Sequence, residues 1–115
     1  MMAFAQLLKN AVYASLQDGG RKGYMHMGIP LSGFMDSEMA FFANTLVGNP
    51  IDNSCLEIYG DGLKLKFSKP SFLGFCSKEA TILVNGQPVF CGNGAFSAQS
   101  GDVVGIENNT SSWAY

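Results

Sequence analysis

The sequence predicts a mainly β domain with one helix, a β-barrel or rolled sheet whose helix plugs one end. Short apolar stretches recur with turn residues at close intervals, and Asn85-Gly86 is the clearest of those turns. A single segment, from Asp36 onward, carries helical spacing instead. At 115 residues the chain is long enough to bury one core and too short for two, so residues 1–115 are read as a single domain.

Residues 1–8 are apolar, but no basic residue leads them and Lys9-Asn10 soon interrupts the run. That pattern does not read as a signal peptide. No stretch approaches the roughly 18 apolar residues needed to cross a bilayer. Ala11 to Leu16 alternates small and apolar residues before Gln17-Asp18-Gly19-Gly20, a strand ending in a turn. Arg21 to Gly33 has no sustained period and contains Gly23, Gly28, Pro30 and Gly33, which reads as a long ordered loop.

Met35, Met39, Phe42 and Leu46 then recur at helical spacing, with Ala43 and Val47 on the adjoining face. The Asp36 carboxylate suits the N-cap because it accepts from first-turn amides, and Glu38 sits near the positive end of the helix dipole. Gly48 and Asn49-Pro50 stop the helix.

The remainder reads as strand and turn. Leu56 and Ile58 precede Gly60-Asp61-Gly62, after which Leu63, Leu65 and Phe67 alternate with Lys64 and Lys66. A hairpin with a wet lysine face is the economical reading. Ser71 to Ser77 is a short apolar run behind Pro70. Thr81 to Val84 leads into Asn85-Gly86, which suits a type I′ turn because both positions need positive φ. Pro88 cannot donate to a ladder, so Val89 and Phe90 begin a strand or lie on an edge. A last pair, Phe96 to Ala98 and Val103 to Ile106, is joined across Ser100-Gly101-Asp102.

Seven basic and nine acidic residues give a formal charge of −2, which argues against a nucleic-acid partner. Charged residues are 14% of the chain, against roughly 25% in an average domain, while hydrophobic residues reach 47%. Some apolar surface is therefore expected to be covered by another chain. Cys55, Cys76 and Cys91 are odd in number and widely spaced, and they form no Cys-x-x-Cys pair. They read as three small buried hydrophobes in a reducing cytoplasm, with neither a disulfide framework nor a metal site.

Several residues are candidates for chemistry. Gln17 to Tyr24 puts glycines beside Arg21, an arrangement that can present amides and a cation to an anion but that matches neither a Walker loop nor a dinucleotide fingerprint. No cofactor is implied. His26 is the one histidine and titrates near neutrality when unperturbed. Ser32 lies in a glycine-bordered loop just before the helix, with no nucleophile-elbow spacing. Glu57 sits between Leu56 and Ile58, solvated if it faces outward and in need of a partner or a raised pKa if it faces inward; a partnered inward position is favoured.

Gln17-Asp18-x-Gly20-Arg21-x-Gly23-Tyr24 is followed by Gly28-Ile29-Pro30-x-Ser32-Gly33-x-Met35-Asp36, then by Ala43-Asn44-x-Leu46-Val47-Gly48-Asn49 and Leu56-Glu57-Ile58. In that order these motifs resemble the carboxyltransferase A/B family, which includes a 5-oxoprolinase subunit, the second allophanate-hydrolase subunit and urea amidolyase-related proteins. Asn85-Gly86, Gly101-Asp102 and Tyr115 extend the resemblance more weakly, so that it covers about residues 11–115. Asn10-Ala11 stands where the family usually has Pro-Gly, and Trp113 where an arginine is often seen near the closing tyrosine.

The resemblance implies a cyclophilin-like β-barrel and a role beside a partner similar to the first allophanate-hydrolase subunit. Family members take part in ATP-dependent 5-oxoproline cleavage and in urea amidolyase-type enzymes, and related proteins antagonise an inhibitor of a sporulation histidine kinase. Family chains are longer, and their second half is not represented here. The expectation is thus a truncated cytoplasmic domain that binds a small carboxylate or amide ligand, or a protein partner, without catalysing alone. A subunit of an ATP-dependent amidohydrolase and a regulatory interaction module are the alternatives. Gln17, Asp18, Arg21, His26, Ser32, Asn44 and Glu57 are the candidate ligand residues, with Arg21 holding a carboxylate and His26 donating to it. Trp113-Ala114-Tyr115 is expected to leave an open strand edge that a homodimer would cover.

Overall fold

A computed structural model describes residues 5–17, 34–108 and 112–115. In chain order the elements are β1 (Ala5–Lys9), β2 (Tyr13–Gln17), α1 (Ser37–Leu46), β3 (Cys55–Tyr59), β4 (Lys64–Phe67), β5 (Ser71–Phe75), β6 (Thr81–Val84), β7 (Gln87–Cys91), β8 (Gly94–Ala98), β9 (Val103–Glu107) and β10 (Trp113–Ala114). Mainly β with one helix is therefore the class. The strands form three sheets, ordered β1-β4-β9-β6-β7, β10-β3-β2 and β5-β8. Among the described residues these sheets do not close into a barrel, which corrects the expected closed architecture.

Local chemistry explains the parts that agree. Asn85 and Gly86 have φ of 53° and 83°, and Val84 pairs with Gln87 across them. Pro88 lies in β7, an edge strand, where its missing N–H does least harm. In β4 the lysines are exposed while Phe67 is buried, as the alternation predicts. Asp36 accepts from Met39 N at 3.1 Å, and Gly48 takes φ of 76° just beyond the helix.

Three readings of the strands change. Leu56–Phe67 is no hairpin: β3 pairs with β2 and β10, whereas β4 pairs with β1 and β9. Gly60 and Gly62, with φ of 98° and 93°, turn the chain out of one sheet and into another. Likewise β8 pairs with β5 and β9 with β4 and β6, so the last two long strands are not partners. Ala5 to Leu8, part of the 1–8 stretch weighed only as a leader segment, form β1 together with Lys9.

The helix stripe is rotated from the expected one. Ala40, Ala43 and Asn44 are buried, while Met35 and Phe42 are exposed. The cause is the approach of α1 to β5. A Cβ at Gly74 would stand 2.5 Å from the Ala43 carbonyl oxygen and 3.0 Å from Val47 Cγ1, so only small residues fit on that helix face. The main core gathers Ile58, Leu63, Phe67, Phe75, Ile82, Val104 and Ile106, and a second cluster puts Cys76 and Tyr115 under the helix alanines.

The expected open edge at Trp113–Tyr115 is also corrected. On one side β10 pairs with β3. On the other, Cys76 and Tyr115 exchange backbone hydrogen bonds of 2.8 and 2.9 Å, and Ala114 bridges Ser77. The cysteines differ as well: Cys76 is buried, but Cys55 is half-buried and Cys91 exposed, and none of the three is in a disulfide. Among the described residues no helix is long and apolar enough to cross a membrane.

Candidate functional site

Strand alternation gives the β10-β3-β2 sheet two unlike faces. One carries Ala14, Ile58 and Ala114 into the core cluster. The other carries Tyr13, Ser15 and Gln17 from β2, and the register places Tyr59, Glu57 and Cys55 beside them. Trp113 pairs with Tyr59 from the far side.

The exposed part of this face is a polar row flanked by aromatic rings. Gln17 Nε2 donates to Ser15 Oγ at 2.9 Å and more weakly to the Tyr13 hydroxyl at 3.4 Å, while Tyr13 and Ser15 share a short hydroxyl contact. The Trp113 ring meets Tyr13 edge-on at 5.6 Å and Tyr59 tilted at 4.9 Å. Amide and hydroxyl groups beside a desolvating indole suit hydrogen bonding to a small planar polar ligand.

Glu57 lies deeper on the same side of β3 and is only 1% exposed. Its Oε2 accepts from Met35 N at 2.7 Å and from the Tyr115 hydroxyl at 2.7 Å. The Tyr115 oxygen in turn accepts from Asp36 N at 2.8 Å. The partnered inward reading therefore holds. The carboxylate clasps three distant pieces of chain, namely β3, the entry to α1 and the residue after β10. With that oxygen committed twice over, Glu57 acts as a structural anchor, not as an exposed ligand contact.

Tyr115 responds to this surrounding: burial, and then donation to Glu57, push its phenol well above the ordinary tyrosine value. A group whose folded pKa exceeds its unfolded value contributes stability that is complete below the unfolded pKa and lost as pH rises past it. Wild type should therefore lose stability above about pH 10, and Tyr115→Phe should flatten that decline. Urea midpoints from pH 7 to 11 would measure the difference. Burial raises the Cys55 and Cys76 thiols too, with the Asp36 charge adding at Cys76, so the comparison has to be made between the two proteins.

Asn44 is likewise committed to the fold. Its Nδ2 donates to the carbonyls of Ile51 and Asn53 at 3.0 and 2.9 Å, holding the 49–54 turn against the helix. Asp18, Arg21, His26 and Ser32 lie outside the described residues. The segment that holds them leaves β2 at Gln17 and returns at Phe34, next to the Met35 amide that binds Glu57. Among the described residues, no group of histidine, cysteine and acidic side chains is arranged to hold a metal.

Sequence reasoning missed Tyr13, Ser15, Tyr59 and Trp113. The signal for the β2 row was present, because Tyr13-x-Ser15-x-Gln17 puts every polar side chain of that strand on one face. Tyr59 and Trp113 join it only through pairing. Two of the three weaker family matches prove to be neighbours: Asn85 Nδ2 donates to Asp102 Oδ1 at 2.9 Å and Asn85 Oδ1 accepts from Val103 N at 2.9 Å. The Gln99 amide, and then Asn85, hold the Asp102 carboxyl below its usual value. Those residues tie two turns together at the end of the large sheet.

Comparison with known proteins agrees with this architecture. The profile of the carboxyltransferase domain, subdomain A and B, matches residues 27–115. Urea amidolyase of Lachancea kluyveri is 32% identical over 78 residues, which is 67% of this chain and 4% of that one. A 5-oxoprolinase subunit of Escherichia coli is 36% identical over 62 residues, 54% of this chain and 20% of that one. In crystal structures, the urea amidolyase of K. lactis superimposes with a TM-score of 0.88 at 29% identity, over 97% of this chain and 7% of the other. A structure of TTHA0988 has a TM-score of 0.87 at 22% identity, over 98% and 43%, a likeness of fold. The chain thus spans a fifth or less of the length of these two curated relatives, and it belongs to the carboxyltransferase domain, subdomain A and B, family.

Proposed function

We propose that this domain binds a small carboxylate- or amide-bearing ligand on the outer face of the β10-β3-β2 sheet and does not catalyse by itself. The observation that carries the reading is the Gln17–Ser15–Tyr13 row beside Trp113, with Gln17 at the start of the segment that holds Asp18 and Arg21. The amide of Gln17 offers both a donor and an acceptor, which is what an amide or urea-type group requires. Arg21 is the cation for a carboxylate and His26 a further donor. Three unpaired cysteines are in keeping with a cytoplasmic setting.

Isothermal titration with 5-oxoproline and related amides is the test. Binding by wild type that is lost in Gln17→Ala and Arg21→Ala supports the reading. Equal inertness of all three proteins overturns it.

A second reading is favoured by the short span of the chain on its relatives, which are described as a 5-oxoprolinase subunit and as urea amidolyase. Here the domain is part of an ATP-dependent amidohydrolase and works beside a protein similar to the first allophanate-hydrolase subunit. Amide hydrolysis that appears only when such a partner is added would favour it over a binding domain.

A further inference from the structure

Sheet edges expose unpaired backbone groups, and soluble proteins usually blunt them with charge, proline, bulges or short strands. Among the described residues, the edges at β1, β7 and β10 are blunted or occupied. β1 ends in Lys9 and has an irregular register between Leu7 and Lys9. β7 contains Pro88 and faces a register shift between Ile82 and Leu83. β10 is two residues long and is bridged on its far side by Ser77. The β5-β8 pair is packed on its faces by α1 at Gly74 and by the Phe90 ring at Gly94, and each of its strands contains a glycine.

β2 has none of these devices. It contains no charge, proline or glycine, and it pairs with β3 through five consecutive residues in unbroken register. Among the described residues its other side has no strand neighbour. Leu16 is 74% exposed and the adjoining Val12 79% exposed. Leu16 also lines an apolar cavity of about 780 Å³, together with Leu7, Phe72 and Phe96.

We propose that β2 pairs antiparallel with β2 of a second copy of this chain, about a twofold axis at Ser15. The strand is self-complementary in that register. Tyr13 lies opposite the partner's Gln17, so the polar row continues across the axis, and Ala14 lies opposite the partner's Leu16, so the apolar side stays apolar. No like charges meet, because residues 13–17 carry none. The product is a six-stranded sheet, β10-β3-β2 continued into its symmetry mate, and it covers Leu16 in both copies. Each copy contributes a hydroxyl or amide to the other's polar face, which makes the outer face a joint surface. The low charge content, 14% against 47% hydrophobic residues, is in keeping with apolar surface that a second chain covers.

Light scattering coupled to size exclusion reads the assembly independently of any ligand titration, so this inference and the binding reading fail separately. Wild type is expected to elute with twice the 12.3 kDa chain mass. Ser15→Lys should be a folded monomer by circular dichroism, since it sets two ammonium groups against each other at the axis. Mixing Ser15→Lys with Ser15→Glu should restore the dimer mass, a rescue that a folding defect would not give. If Ser15→Lys fails to fold, Leu16→Lys at its exposed position should give the monomer instead. A monomeric wild type at all concentrations, or a dimer that persists in the folded lysine variants, overturns the proposal.

Discussion

Replacing Glu57 with alanine is expected to destabilise the fold by roughly 2–4 kcal/mol, a large share of the roughly 5–15 kcal/mol typical of a whole domain. The variant strips both the Met35 amide and the Tyr115 hydroxyl of their shared acceptor in a buried setting. Part of the loss is offset because a carboxylate no longer has to be desolvated. Glu57→Gln keeps the shape and one carbonyl acceptor and should cost less. The Glu57→Ala and Tyr115→Phe effects should not add, because both break the same clasp, so a double-mutant cycle in urea should return a coupling energy of about 1 kcal/mol or more. Additive losses would mean that the clasp is not one unit.

The second large effect belongs to Gly74. A methyl group there would enter to 2.5 Å of the Ala43 carbonyl, which is helix backbone and cannot swing aside as a side chain would. Gly74→Ala should cost about 1–3 kcal/mol by forcing α1 off the β5-β8 pair, and Gly74→Val more. Gly105, also in a strand, is the control. Its added Cβ would meet nothing nearer than 3.8 Å, so Gly105→Ala should stay within about 0.5 kcal/mol of wild type. Urea midpoints at constant m would compare the two. Equal effects at both sites would show that the close approach of helix and sheet is not what Gly74 serves.

What could be read from the residues was local. Asn85-Gly86 and Asp36 each specify their own geometry within four residues, so the turn and the helix cap were legible. The class was legible for the same reason, since alternation and turn chemistry repeat along the chain. Sheet membership was not. Gly60-Asp61-Gly62 suits a hairpin as well as it suits a change of sheet, and only pairing with β1, 55 or more positions earlier, decides between them. The face of Glu57 depends on Tyr115, 58 residues away. The rotation of the helix stripe depends on Gly74, which no helical period contains. In the candidate site the row on β2 follows from alternation once its strand is known, whereas Trp113 reaches that row only because β10 pairs with β3.

The sheet order also sets how the chain must fold in time. Among the described residues β6–β7 is the one pairing that joins neighbouring strands through a tight turn; β1–β4, β5–β8, β4–β9 and β3–β10 all close over long stretches of chain. Each such pairing costs loop-closure entropy before its contacts repay it. Folding should therefore take milliseconds to seconds, as in other domains of non-local topology, and not microseconds. The Asn85-Gly86 hairpin can form early and unaided, within about 10 μs, so mutations there should slow folding, while loss of the Glu57 clasp should mainly speed unfolding.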